Sequence, residues 1–239
     1  MHQRCTLLLL ILALTAPDPD DAGLIYGGKV AVPHSRPYMV LVERKLPSGK
    51  TSICGGFLLS KNFVMTAAHC QASSYNVILG LHDYSKQDNT ERILVKETFI
   101  REDYVPETLI NDLLLLKLSY DAKLSSHVGP IALAAPEAAA PQSCSVAGWG
   151  RSDKHPTSMT PVLMEVDITL SADCEDKDFY CFLGSAGVGR GDSGGPLVCE
   201  DGKAYGVASG TVEKENEKEN LFSKIPKHKQ WIDSIMNTV

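Results

Sequence analysis

The 239-residue sequence predicts an all-β fold, a sandwich or barrel, finished by one C-terminal helix. Three observations predict it. Short apolar or alternating runs recur along the chain; each is bounded by Gly, Pro, Asn, Asp or Ser; and helical periodicity is confined to the C-terminal end.

In chain order the runs are YMVLVE at 38–43, SICGGFLLS at 52–60, NVILG at 76–80, RILVKETFI at 92–100 and DLLLLKL at 112–118. SVAGWG at 145–150, PLVC at 196–199 and AYGVASG at 204–210 follow. Runs this short suit half-buried strands, and their regular spacing is that of an all-β architecture. The Ala- and Pro-rich stretch GPIALAAPEAAAPQ at 129–142 is the best candidate for a connection between two halves. EKENEKEN at 213–220 holds no apolar residue and reads as a solvated loop. KHKQWIDSIM at 227–236 sets Trp231, Ile232, Ile235 and Met236 on one helical face. No repeat period is evident.

The chain begins MHQRCTLLLLILALTA: a basic start, an apolar core from Leu7 to Leu14, then small residues. That layout predicts a secretory signal peptide at residues 1–16, its end falling between 16 and 22, and not a membrane span, which takes roughly 20 apolar residues. Six of the seven cysteines remain after it: Cys54, Cys70, Cys144, Cys174, Cys181 and Cys199. An even number in an exported chain reads as disulfides, but spacing alone does not choose among the possible pairings. No Cys-x-x-Cys occurs, so no metal site is expected, and no cofactor motif appears. The net charge of −6, or 22 − 26 = −4 without residues 1–24, is a weak acidity that argues against nucleic acid or an anionic membrane surface as the main partner. No Asn-x-Ser/Thr acceptor is present, so N-glycosylation is not expected.

RGDSGGPLVC at 190–199 has two readings: an adhesion tripeptide at Arg190-Gly191-Asp192, or the surroundings of a nucleophilic Ser193. A serine hydroxyl needs a base, a group to orient the base, and donors for a developing oxyanion. The chain offers His69 in TAAHC as base, Asp112 before an apolar strand as orienting carboxylate, and the glycine-flanked amides of Gly191 and Ser193 as oxyanion donors. A charge at the mouth of so apolar a strand is costly unless paired.

These motifs resemble the chymotrypsin-like, trypsin-fold serine proteases. The matches are IYGG at 25–28, CGGFLLS at 54–60, TAAHC at 66–70, DLLLLKL at 112–118, AGWG at 147–150, GDSGGPLVC at 191–199 and WI at 231–232, in the family's order. PHSRPYM at 33–39 is similar to the granzyme and mast-cell protease branch. The resemblance implies two six-stranded antiparallel β-barrels with the active site between them: barrel 1 at about 25–130, barrel 2 at about 131–226, and a C-terminal α-helix at about 227–237. It implies a Ser193–His69–Asp112 triad, a hydrogen bond from Ser209 to Asp112, and the disulfides Cys54–Cys70, Cys144–Cys199 and Cys174–Cys181. It also implies activation by cleavage before Ile25, whose new ammonium would pair with buried Asp192. A buried Asp192 disfavours the adhesion reading.

The propeptide is then 17–24, or only Gly23-Leu24 if signal cleavage follows Ala22. The expected substrate pocket comprises Gly187, Val188, Ser209, Gly210, Thr211 and Asn220. Gly187 stands where basic-specific relatives carry aspartate, which disfavours Lys or Arg before the scissile bond. Thr211 narrows the entrance, and Arg190 at the cleft mouth could favour acidic substrates. The stretch from Cys181 to Ser193 and the loop from Cys174 to Cys181 are short for this branch. The resemblance implies protein or peptide substrates, an activating peptidase, serpin-type inhibitors, a monomer, and a location that is secreted or in cytolytic granules. The rival expectation is a catalytically silent homologue that binds a partner.

Overall fold

The first half of the chain closes on itself. In the computed structural model, which describes residues 25–238 except 88, 153, 173, 175, 215 and 216, the strands are β1 (Lys29–Val30), β2 (Met39–Lys45), β3 (Thr51–Ser60), β4 (Phe63–Thr66), β5 (Ser74–Leu79), β6 (Glu91–Ile100) and β7 (Leu114–Leu118). The expected signal peptide and propeptide lie outside the described residues. β2 to β7 form a closed antiparallel barrel in the order β2-β3-β4-β7-β6-β5. Its filling comes from alternating inward residues, among them Val40, Val42, Phe57, Met65, Val77 and Leu116, all out of contact with water. β4 was not among the expected strands. It has only four residues, all buried, wedged between the Lys61-Asn62 turn and the histidine segment, too few to show a period.

The second half comprises β8 (Ser143–Gly148), β9 (Met164–Thr169), β10 (Phe179–Leu183), β11 (Pro196–Cys199), β12 (Ala204–Lys214) and β13 (Glu217–Lys224). Where a second six-stranded barrel was expected, the described residues pair as a seven-stranded sheet, β1-β9-β8-β11-β12-β13-β10. The extra strand is β1, which pairs with β9 through Lys29↔Glu165 and Val30↔Met164. Residues 25–30, counted with the first barrel from sequence, therefore belong to the second half, and Ile25 is buried in its core beside Val146, Leu197 and Phe222. Apolar Ile25 drives that choice, because fully burying such a side chain is worth about 1.5–3 kcal/mol.

A second correction concerns EKENEKEN. It is not a free loop: β12 and β13 continue as a ribbon, with Thr211↔Asn220, Val212↔Glu219 and Glu213↔Lys218 facing one another. Opposite charges on directly facing positions are worth about 0.2–1 kcal/mol per pair, which the alternating Glu and Lys pattern supplies. The C-terminal element is a short 3-10 turn (Pro226–His228) running into α1 (Lys229–Thr238). The predicted face is the one buried: Ile232 is fully enclosed, and Trp231, Ile235 and Met236 pack on the first-barrel core. All three implied disulfides are present, Cys54–Cys70, Cys144–Cys199 and Cys174–Cys181.

Candidate active site

His69 is delivered by a 3-10 turn, Ala68–Cys70, directly after β4. Ala67 and Ala68 are wholly buried, and Cys70 is tied to Cys54 on β3, so the backbone on both sides of the imidazole is fixed. Asp112 precedes β7 and is itself fully buried. Both of its carboxylate oxygens serve His69: Oδ2 accepts from ring Nδ1 at 2.7 Å and Oδ1 from the His69 backbone N–H at 2.8 Å. A carboxylate only accepts, so a proton lies on Nδ1, which in a neutral imidazole leaves Nε2 its lone pair. Tyr104, whose phenol is pushed up to about 12 by burial and then by the charge of Asp112, stays neutral nearby.

Ser193 lies on the loop before β11, between Gly191 (φ 111°) and Gly194 (φ 85°). Both glycines occupy backbone territory that side chains rarely adopt. At Gly194 a Cβ would also drive into Thr66 Oγ1 and the Gly55 carbonyl oxygen. The Ser193 carbonyl accepts from Gly55 N–H at 2.8 Å, and Thr66 Oγ1 donates to the Gly55 carbonyl at 2.7 Å. These bonds stitch the serine loop to the barrel that carries His69. His69, Ser193 and Gly191 line one cleft of about 520 Å³. Among the described residues, neither the Gly191 nor the Ser193 backbone N–H has an acceptor, so both are available to a ligand oxygen.

Asp192 is 1% exposed. Its Oδ1 accepts from Gly150 N–H at 2.7 Å and its Oδ2 from Gly189 N–H at 2.8 Å. Burial dominates these bonds and raises its carboxyl to about 6. The AGWG motif has a steric reason here, since a Cβ on either Gly148 or Gly150 would overlap the Asp192 carboxylate. The same burial removes the adhesion reading of Arg190-Gly191-Asp192. Ile25 is enclosed in the second core, and the next residue, Tyr26, accepts at its carbonyl from Gly187 N–H at 2.8 Å.

Of the expected pocket residues, Val188, Ser209, Gly210 and Thr211 line a second cleft that also touches Ser193. Gly187 and Asn220 are not among the residues lining it. Gly187 (φ 114°) faces the amide of Asn220, which is 2% exposed and reaches toward the Phe182 and Ala186 carbonyls at 3.5 Å. Ser209 does not bond Asp112. Its hydroxyl donates to the Val207 carbonyl at 3.1 Å and lies 2.8 Å from Ser223 Oγ, because the β12 bulge between Ala208 and Gly210 turns it toward β13.

Sequence reasoning missed five charged or aromatic cleft residues. Tyr26, Glu213 and Lys218 border the pocket, with the Lys218 ammonium 5.0 Å from the Tyr26 ring centre. Arg44 and Arg151 join Arg190 in the cleft shared by His69 and Ser193, and Arg44 donates to the His69 carbonyl at 3.1 Å. The Glu and Lys facing pattern was the available signal for the first group. The arginines gave none, since only the topology brings them together.

Residues 25–232 match the family described as Trypsin. Duodenase-1 of Bos taurus is 40% identical, covering 96% of this chain and 96% of its own length. Granzyme B(G,H) of Mus musculus is 37% identical over 97% of this chain and 99% of its own. A solved structure of human heparin binding protein superposes with a TM-score of 0.80 at 30% identity, covering 90% of this chain and 98% of that one. The chain belongs to the trypsin family, as a chymotrypsin-like serine endopeptidase with granzyme, cathepsin G and chymase relatives.

Proposed function

We propose that the chain is a secreted or granule-stored zymogen which, once cut before Ile25, hydrolyses peptide bonds through an acyl-enzyme on Ser193. The observation that carries this reading is His69, held by both oxygens of Asp112 and lining the same cleft as Ser193. His69 Nε2 takes the Ser193 proton as Oγ attacks the scissile carbonyl, then gives that proton to the leaving amine. Water repeats the sequence on the acyl-enzyme and releases the acid. The Gly191 and Ser193 amides hold the oxyanion.

Activation follows from Asp192. A buried carboxylate held only by amides gains most from a cation, and the ammonium freed at Ile25 would be that cation. The residue before the scissile bond is uncharged: Thr211 stands in the wall, and a Lys or Arg would meet Arg190 and Lys218 with Glu213 as the one carboxylate of the described lining. Arg44, Arg151 and Arg190 line the cleft shared by His69 and Ser193, Arg190 standing where the two clefts meet, with no carboxylate among the described lining of that cleft, which favours acidic residues after the cut. Among the described residues no helix is long and apolar enough to cross a membrane. Serpin-type inhibitors and a monomeric state accompany this reading.

A mixed peptide library offered to the full chain and to protein beginning at Ile25 tests it. The expected result is cleavage by the trimmed form alone, after uncharged residues, with Asp or Glu enriched on the leaving side and that enrichment lowered by Arg190→Glu. Equal rates for both forms would refute the activation step, and dominant cleavage after Lys or Arg would refute the pocket. Folded trimmed protein with no cleavage would favour the binding homologue.

A further inference from the structure

Three imidazoles from three separate loops converge outside the two clefts that border Ser193. His34 lies between β1 and β2, His82 just after β5, and His127 on the long connection after β7. The His34 and His127 rings stack with centres 3.8 Å apart and planes 14° from parallel. The His82 ring centre is 5.8 Å from that of His34, with the planes tilted by 50°. None of the three rings is fully exposed.

The backbone beneath His82 is pinned, because its carbonyl accepts from Leu163 N–H at 2.8 Å and from Trp149 Nε1–H at 3.1 Å. Its ring Nδ1 is nonetheless buried with no hydrogen-bond partner among the described residues. Buried polar atoms in folded proteins nearly always have a partner, so this nitrogen calls for an occupant. His34 adopts φ 58°, a left-handed conformation uncommon for a side-chain-bearing residue, and its ring lies against the other two.

The geometry points to a transition-metal site in which His34 and His82 are the ligands and His127 is the ring that positions His34. With metal–nitrogen bonds of about 2.0–2.1 Å, two imidazoles on one tetrahedral ion have ring centres about 5–6 Å apart, which the 5.8 Å separation fits. A tilted pair can aim two nitrogens at one point, whereas a stacked pair cannot, so His127 supports and does not ligate. The nearby carboxylate, Asp83, is engaged by Ser85 and Lys86. An all-imidazole donor set selects zinc or copper(II) over magnesium or calcium. Water would complete the coordination. The ion would clamp the segment that follows Ile25 and β1 to the first barrel.

Zinc titration of the full chain by calorimetry, with a thermal melt in parallel, tests this. The expected result is one ion per chain, a higher melting temperature with zinc, and copper(II) electron paramagnetic resonance showing two imidazole nitrogens. His82→Ala and His34→Asn, the latter tolerating the left-handed backbone, should abolish both effects. His127→Ala should weaken binding about tenfold or more, and His127→Phe, which restores a stacking ring without a nitrogen, should recover it. No binding by the unaltered chain, binding that survives His82→Ala or His34→Asn, or failure of His127→Phe to recover what His127→Ala loses would each overturn the assignment.

Discussion

Two aspartates, one in each half, are equally hidden from water and differently served. Asp112, at the edge of the closed barrel, gives both oxygens to a single residue, His69, and needs nothing more. Asp192, beside the open sheet, is held by two loop amides from Gly150 and Gly189 and titrates near 6. In the proposed mechanism the barrel therefore supplies a base already paired, while the sheet supplies the Ser193 loop built around a carboxylate held by amides alone. The half whose strands close carries what must not move. The half with the seven-stranded sheet carries Asp192 and the cleft lined by Val188, Ser209, Gly210 and Thr211, to which the proposal assigns activation and substrate selection.

The largest effect should come from the barrel side. Asp112→Asn keeps the shape but lets the amide impose the wrong imidazole tautomer, and kcat of the trimmed protein should fall by about 10⁴ with little change in melting. Next in size are the two cores. Phe57→Ala in the barrel and Phe222→Ala in the sheet each remove a fully buried ring and should each cost about 3–5 kcal/mol in urea unfolding. Unequal costs would locate the softer half.

The pH dependence separates the aspartates further. The folded carboxyl of Asp192 is raised from 3.8 to about 6, so in the untrimmed chain its contribution favours folding at acid pH and is lost as pH rises through about 6. His228 acts in the opposite sense. Burial lowers it from 6.5 to about 4, so its contribution is present above 6.5 and is lost as pH falls toward 4. Unfolding free energies of trimmed and untrimmed protein between pH 4 and 8 should diverge as pH rises through 6, because only the trimmed form offers Asp192 a cation. The smallest effect belongs to the ribbon: Lys218→Glu places like charges opposite each other at Glu213 and should cost about 0.2–1 kcal/mol.

The closed barrel was more legible from sequence than the open sheet, for a physical reason. YMVLVE and RILVKETFI carry their own apolar periodicity, and β2 and β6 contain them almost to the residue. β9, β10 and β13 are shaped by their neighbours, and the Glu and Lys ribbon is a strand only because its partner matches its charges. At the site, His69, Asp112 and Ser193 were named from their motifs, and the structure pairs His69 with Asp112 and sets His69 and Ser193 in one cleft. Tyr26, Arg44 and Arg151 were not named, because their place beside Ser193 is decided by which strands meet. The Ser209 expectation failed on one bulge, which local sequence does not encode.

The central claim is that His69, braced by Asp112, makes Ser193 nucleophilic in the trimmed chain. Fluorophosphonate treatment of protein beginning at Ile25, followed by peptide mapping, tests it most directly. The account predicts one adduct, on Ser193, abolished by Ser193→Ala and strongly slowed by Asp112→Asn. Folded, trimmed protein that takes no label, or that takes it on another residue, would contradict it.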